Sequence, residues 1–189
     1  MQNMPEPAAG TRREMRAARK KQARRELWAW VRELAIVVIV VLVVKNFVFA
    51  ITTVSGDSML ETLKTGDRMY VSLLTPRIFG YERGDIVTCY YPGRSDQCVK
   101  RIVGLPGEEV EIRKGVVFVN GQALQEDYLD YEASYSYPAV TLAEDEYFLL
   151  GDNRPVSHDS HSLDVGPVTD LVGKARFIIW PMDRIGAVR

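Results

Sequence analysis

The sequence predicts a mostly β protein that follows a single N-terminal transmembrane helix. Two observations support this prediction. A long apolar run lies near the N-terminus, and from about residue 50 onward short strand-like runs alternate with turn residues. Short strands at this spacing indicate an all-β or mostly β fold. The 189 residues suffice for an anchor and one domain with a sizeable core.

The N-terminal helix is predicted from hydropathy. Leu34–Val44 is an unbroken apolar run, and further apolar residues extend it to Ile51. Together they exceed the roughly 20 residues that cross a bilayer. We therefore predict a basic tail over residues 1–26, a transmembrane signal anchor over residues 27–51 and a β-rich domain over residues 52–189. A cleaved signal peptide and a buried core helix are the alternatives.

Charge is distributed unevenly along the chain. Residues 1–45 carry ten Lys or Arg and four acidic residues, a net charge of +6, whereas residues 46–189 carry 14 basic and 21 acidic residues, a net charge of −7. The basic block directly abuts the apolar run, which favours contact with a membrane surface over nucleic-acid binding. Clustered Arg and Lys stay on the cytoplasmic side of a span. The tail is therefore predicted to be cytoplasmic and the β-rich domain extracytoplasmic.

The β-rich part contains seven predicted strands. Asn120-Gly121 follows the fifth of them and is typical of a tight hairpin turn. The predicted strands are Arg68–Leu74, Asp85–Tyr91, Gln97–Val103, Glu109–Ile112, Val116–Val119, Tyr147–Leu150 and Ala175–Trp180.

Ser58 is a candidate nucleophile. It lies in Ser55-Gly56-Asp57-Ser58-Met59, just after the apolar run. Gly56 permits backbone conformations that other residues resist, so the Ser58 hydroxyl and its backbone N–H can face the same space. That combination supplies a nucleophile and part of an oxyanion hole. Taken alone, the segment is more typical of an ordinary turn.

Lys100 is a candidate base. It alternates with Val99, Ile102 and Val103 on a predicted strand that ends at a Pro-Gly turn. In an apolar site the charged amine loses solvation, so its pKa falls and it can act as a neutral base. Pairing of serine with lysine is a known variant of the catalytic triad. The alternative is a lysine on an edge strand that extends into solvent.

A third polar segment follows the predicted strand Tyr147–Leu150. It spans residues 151–160 and contains many side chains that form hydrogen bonds, as expected of residues that orient catalytic groups. A structural turn with an Asp–Arg pair is the alternative. His158 and His161, the two histidines of the chain, lie here. We interpret them as incidental residues of an exposed loop, with a triad member or metal ligands as alternatives.

These segments, in this order behind an anchor, resemble signal peptidase I over roughly residues 30–185, and a single span is similar to the Gram-positive branch of that family. The motifs that carry the resemblance are a serine box at residues 55–63, a lysine box at residues 99–108, a strand at Gly84-Asp85-Ile86-Val87 and a last box at Gly151-Asp152-Asn153-Arg154 with Ser157 and Asp159.

The resemblance implies a signal-peptidase-like β-barrel or β-sandwich catalytic domain. It also implies a membrane-anchored serine endopeptidase that removes signal peptides from exported preproteins, with Ser58 as nucleophile and Lys100 as general base. Ser157 is implied to hydrogen-bond Lys100. The further supporting residues are Asp152, Arg154, Asp159 and Gly56.

The implied reaction proceeds through an acyl-enzyme and needs neither a metal nor an organic cofactor. Its implied partners are signal peptides with small residues such as Ala at the first and third positions before the cut, and the lipid bilayer. No nucleic-acid partner is expected, and the sequence does not define an oligomeric state.

The sequence departs from the family at three places around the proposed dyad. Glu61 stands where Pro is usual, Pro155-Val156 where Asp-Asn is usual, and His161 where Arg is common. One alternative function is a non-catalytic protein that assists assembly of surface structures such as pili. Another, a self-cleaving repressor, requires a DNA-binding N-terminus in place of the span.

Cys89 and Cys98 are the two cysteines of the chain, and they flank Pro92-Gly93-Arg94-Ser95. A hairpin at this turn would bring them opposite each other, and an oxidising exterior permits a disulfide. The sequence leaves open whether the bond forms.

Overall fold

The described part of the chain contains one long helix and two antiparallel β-sheets. A computed structural model describes residues 12–60, 62–129 and 134–188, so Glu61 lies outside it. In chain order the elements are α1 (Arg12–Phe47), β1 (Phe49–Thr53), β2 (Arg68–Ser72), α2 (Thr75–Phe79), β3 (Ile86–Tyr90), β4 (Gln97–Gly104), β5 (Glu109–Arg113), β6 (Val116–Val119), β7 (Gln122–Ala123), β8 (Tyr137–Thr141), β9 (Phe148–Leu150), β10 (Leu171–Trp180), a 3-10 turn (Met182–Arg184) and β11 (Gly186–Ala187).

Helix α1 up to Val44 forms a unit of its own. The chain divides between Val44 and Lys45 into two separately packed units. Within α1, Arg19–Val44 contains a stretch that is long and apolar enough to cross a membrane. Its apolar side chains are exposed, Ile39 by 59% for example. That exposure contradicts a core helix and fits a helix whose apolar surface contacts lipid.

The helix ends earlier than the predicted span. The span was predicted to reach Ile51, but α1 ends at Phe47 and Phe49–Thr53 form β1. Strand β1 pairs with β2 from Phe49 opposite Ser72 to Thr53 opposite Arg68. Aromatic and β-branched residues suit a half-buried strand, so the last apolar residues of the run belong to the sheet. The assignment of residues 1–26, 27–51 and 52–189 to tail, anchor and extracytoplasmic domain stays a prediction.

The first sheet has the order β1-β2-β10-β3-β4-β9, and β11 pairs with β10. Strand β10 lies between β2 and β3, where Gly173 is needed because a Cβ there would lie 2.7 Å from the carbonyl oxygen of Ser72. All seven predicted strands are present, although β10 begins at Leu171 rather than Ala175. The mostly β class with one N-terminal apolar helix is therefore confirmed.

The second sheet has the order β7-β6-β5-β8. The predicted turn joins β6 to β7, with Asn120 at φ 51° and Gly121 at φ 77°, which are the positive values of the tightest hairpin turn. Its inner residues pack with β9 of the first sheet in one apolar cluster. That cluster contains Val103, Val110, Ile112, Val117, Val119, Leu142, Phe148 and Leu150.

Strands β3 and β4 are joined covalently. Cys89 lies opposite Cys98 in the β3–β4 register, and the two form a disulfide with their Cα atoms 5.3 Å apart. The structure therefore decides the question that the sequence left open. The bond holds the strand pair together two residues before Lys100.

We expect alkylation without reductant to label neither cysteine. The double variant Cys89→Ala/Cys98→Ala should unfold with a free energy lower by about 2–3 kcal/mol, because a cross-link restricts the unfolded chain. Mass measurement with and without reductant, followed by denaturant unfolding, checks both expectations. Two labelled thiols in the unreduced protein would contradict the bond.

Candidate active site

Ser58 lies in a loop whose two ends are hydrogen-bonded to each other. We call residues 54–67 the serine loop. Val54 donates its backbone N–H to the Asp67 carbonyl at 2.8 Å, and Gly66 donates to the Val54 carbonyl at 3.0 Å. Buried Val54, Met59 and Leu63 hold the loop in one of the apolar clusters. The nucleophile candidate is therefore flanked by residues that cannot move without opening the core.

Charged and turn residues restrict the loop further. The buried Asp67 carboxylate accepts hydrogen bonds from Arg184 Nε and Nη2, each at 2.9 Å. Gly56 has φ +87°, the left-handed region that favours glycine. Thr65 Oγ1 donates to the Gly56 carbonyl at 3.0 Å. These contacts hold the backbone immediately before Ser58.

Lys100 reaches Ser58 from strand β4 of the first sheet. It lies on β4 opposite Val87 of β3 and is only 4% exposed. Its Nζ donates a hydrogen bond to Ser58 Oγ at 2.7 Å. Burial lowers the pKa of Lys100 below its ordinary 10.5, while the charges of Asp159 and Asp152 act in the opposite direction. The structure thus brings together the two predicted residues and weakens the charged form of the amine.

The segment after β9 packs on the other side of the serine loop. Asn153 donates its backbone N–H to the Ser58 carbonyl at 3.0 Å and its side-chain amide to the Asp57 carbonyl at 2.9 Å. A Cβ at Gly151 would collide with Ser157 Oγ and with the Ser58 carbonyl oxygen. Glycine at this position therefore permits the close approach of the two segments.

Asp159 is the centre of the polar network behind the dyad. Ser157 Oγ donates to one of its carboxylate oxygens, and the Gly151 backbone N–H donates to the same oxygen at 2.8 Å. His161 Nδ1 is hydrogen-bonded to the other oxygen. The resemblance implies a bond from Ser157 to Lys100. In the described residues the Ser157 hydroxyl is bonded to Asp159 instead.

Two buried ion pairs complete the support. Arg101 binds Asp152 through Nε at 2.8 Å and Nη2 at 2.7 Å. Arg154 pairs with Glu126, and both side chains are buried. Arg154 Nε also donates to the Gly151 carbonyl at 3.1 Å. The two ion pairs therefore hold the segment that contacts Ser58, one through Asp152 and the other through Arg154.

Glu126 and Tyr128 were not predicted to belong to the site. Tyr128 donates its hydroxyl to Glu126, and its ring lies 3.9 Å from the Arg101 guanidinium. Arg101 itself was predicted only as part of the lysine box. The segment between β7 and β8 contains no recognisable motif, so only the fold reveals these contacts.

A cleft of about 540 Å³ opens beside the dyad. It is lined by Gly56, Asp57, Ser58, Leu60, Tyr91, Arg94, Asp96, Gln97, Cys98, Lys100, Asn153, Val156 and His158. His158 is exposed at its edge and contacts Asp164 at 3.1 Å, as expected of an exposed loop residue. His161 differs, because it is 20% exposed and stacks on Tyr135. The expectation of an exposed residue is wrong for His161.

Comparison with known proteins identifies the relatives of this chain. The family model described as signal peptidase, peptidase S26, matches residues 27–180. A probable signal peptidase I-2 of Synechocystis sp. is 36% identical over 79% of this chain and 71% of its own length. Signal peptidase I of Leptolyngbya laminosa is 31% identical over 90% and 88%, and signal peptidase IB of Staphylococcus aureus 30% over 84% and 92%.

A crystal structure of a signal peptidase I from Enterococcus faecalis V583 is 34% identical to this chain. It covers 50% of this chain and 95% of its own, with a TM-score of 0.44.

Glu126 offers a test of the support behind the dyad. We expect Glu126→Gln to lower the free energy of unfolding by about 3 kcal/mol, because it removes a carboxylate charge from beside a buried guanidinium. Cleavage activity should fall as well, since Arg154 adjoins the segment that contacts Ser58. Denaturant unfolding and a cleavage assay measure the two effects.

Glu111→Gln is the matched control, because it removes the same charge from an exposed pair with Arg113. Exposed pairs contribute little to stability, so this variant should behave as wild type. Equal unfolding curves for the two variants would contradict the role of Glu126.

Proposed function

This chain belongs to the signal peptidase family, peptidase S26, and we propose that Ser58 and Lys100 are the catalytic dyad with which it cleaves preproteins. The prediction of a serine peptidase of the signal peptidase I type is confirmed by that membership, and the non-catalytic alternative is not favoured. The hydrogen bond of 2.7 Å between Lys100 Nζ and Ser58 Oγ is the observation that carries the proposal.

The proposed first step is proton transfer within the dyad. Neutral Lys100 accepts the Ser58 proton through its nitrogen lone pair while Ser58 Oγ attacks the carbonyl carbon of the scissile bond. The ammonium so formed then protonates the leaving amine. Water attacks the acyl-enzyme with Lys100 again as base, which regenerates Ser58. Burial of Lys100 supports this role because it favours the neutral amine.

The Ser58 backbone N–H is the proposed donor to the developing oxyanion. Within the described residues no group accepts a hydrogen bond from it, so it remains available to the reacting carbonyl. Gly56 has no side chain that can donate a second bond. Gly56, Asp152, Arg154, Ser157 and Asp159 are proposed to position the dyad.

The free edge of β4 supports binding of the substrate as an extended strand. Strand β3 covers one edge of β4 along Gln97–Arg101, whereas β9 covers the other edge only from Arg101 onward. Gln97, Cys98 and Lys100 line the cleft. A peptide that pairs with this edge gains backbone hydrogen bonds and arrives beside Ser58. We propose that small residues precede the cut in this peptide.

We further propose that α1 anchors the enzyme with its N-terminus in the cytoplasm and residues 52–189 outside. The excess of Arg and Lys before the apolar run supports this orientation. The disulfide supports it independently, because such bonds persist in oxidising compartments. Lipid is the proposed partner of the exposed apolar surface of α1.

Ser58→Ala and Lys100→Arg should each abolish cleavage of a preprotein by the full chain in detergent. The first removes the nucleophile, and the second installs a guanidinium that stays charged. Wild-type activity should rise with pH through the pKa of Lys100, because only the deprotonated amine is a base.

Ser136→Ala and Lys114→Arg are matched controls at an exposed turn beside β8. Both should cleave as wild type does. That result would show that the loss of activity is specific to the changes at Ser58 and Lys100. Full activity of Ser58→Ala, or an unchanged pH–rate profile for Lys100→Arg, would contradict the proposed catalytic dyad.

The orientation predicts that external protease digests residues 52–189 in intact spheroplasts. An N-terminal epitope should survive on a fragment that contains α1, because the membrane shields the tail. Immunoblotting for epitopes at both ends measures this. Protection of the C-terminal epitope until detergent is added would contradict the orientation.

A further inference from the structure

Most buried carboxylates of the described catalytic part have a cation as their own partner. Asp159 is the exception, because its carboxylate is fully buried and binds no Arg or Lys in the described residues. The cation pairs are Asp67 with Arg184, Asp85 with Lys174, Asp152 with Arg101 and Glu126 with Arg154.

The partners of Asp159 are three neutral donors and one imidazole. Ser157 and the Gly151 N–H bind one oxygen, and the backbone N–H and Nδ1 of His161 bind the other. A buried carboxylate is costly unless a charge and hydrogen bonds compensate it. His161 can supply that charge as an imidazolium, because its ring is partly exposed and an imidazole can hold a proton on each of its two nitrogens.

Tyrosines do not alter this charge balance. Burial raises the pKa of Tyr135, which stacks on His161, to about 12. Burial also raises the pKa of Tyr91 and of Tyr128. All three phenols are therefore neutral at physiological pH.

The buried ionic groups behind the dyad leave one negative charge to be balanced, whereas the charged groups that line the open cleft, Asp57, Arg94 and Asp96, are exposed and screened by solvent. In the described residues, Arg101 and Arg154 offset two of the three carboxylates Glu126, Asp152 and Asp159. The remaining charge can be balanced by a proton on Lys100 or by a proton on His161. Only the second arrangement leaves Lys100 able to accept the Ser58 proton.

We propose that His161 carries the positive charge that balances Asp159, so that Lys100 can remain an uncharged base. His161 is thus a positioning residue of the reaction, which acts on Lys100 through Asp159 and touches no reacting atom. This inference rests on the proposed Ser58–Lys100 dyad.

The direction of the effect follows from the charges. Asp159 raises the pKa of Lys100, because a nearby carboxylate favours the ammonium. A cation on His161 weakens that influence. Loss of the imidazole should therefore return the proton to Lys100 and move the acidic limb of the pH–rate profile to higher pH.

The test compares kcat/KM across pH for the full-length enzyme in detergent, with a preprotein as substrate. His161→Gln keeps a hydrogen-bond donor without a charge, and His161→Arg makes the charge permanent. The limb should move up by about one pH unit in His161→Gln, so activity on that limb falls about tenfold. It should stay in place or move down in His161→Arg.

Recovery at alkaline pH distinguishes this role from a purely structural one. Above the limb His161→Gln should cleave as fast as wild type, because Lys100 is then neutral in both. Arg113→Gln, which removes one positive charge from the exposed Glu111 pair, is the control and should keep the wild-type profile.

An unshifted limb in His161→Gln, or an equal loss of activity at every pH, would overturn the inference. Failure of the dyad itself gives a different result, namely activity in Lys100→Arg. If Lys100→Arg is inactive and the acidic limb of His161→Gln is unshifted, the proposed dyad is supported and the proposed role of His161 is rejected.

Discussion

The hydrogen bond between Lys100 Nζ and Ser58 Oγ is the constraint on which the rest of the site depends. It joins residues separated by 42 positions in the chain and requires an amine held in a place that disfavours its charge. Chain connectivity alone would leave the two groups apart. The hydrogen bonds between the two ends of the serine loop and the pairing of β4 with β3 hold them together.

Consecutive residues of β4 have different roles on opposite faces of the sheet. Side chains alternate along a strand, so Lys100 faces the cleft while Arg101 engages Asp152 and the ring of Tyr128. The strand thereby places a weakly solvated amine beside a strongly paired guanidinium. Buried ion pairs are weak sources of stability because desolvation opposes their attraction. Their value here is that they fix the backbone that contacts Ser58.

Departures from the family leave Ser58 and Lys100 in place. His161 stands where Arg is common, and it binds the one buried carboxylate of the described site that has no Arg or Lys partner. An imidazole, which can be charged or neutral, stands there in place of a guanidinium, which is always charged. Such a substitution alters how readily Lys100 gives up its proton while Ser58 and Lys100 keep their positions.

The sequence by itself determined the apolar helix, the seven main strands and the two residues of the proposed dyad. Each of these depends on hydropathy, periodicity or a short motif, which are properties of neighbouring residues. Only the tertiary structure decided that Ser157 binds Asp159, that Glu126 and Tyr128 support the arginines and that Cys89 bonds to Cys98. It also assigned the end of the apolar run to β1. The physical reason is that partners such as Glu126 and Arg154 lie 28 residues apart in the chain. A local sequence pattern does not indicate which buried charges will form a pair.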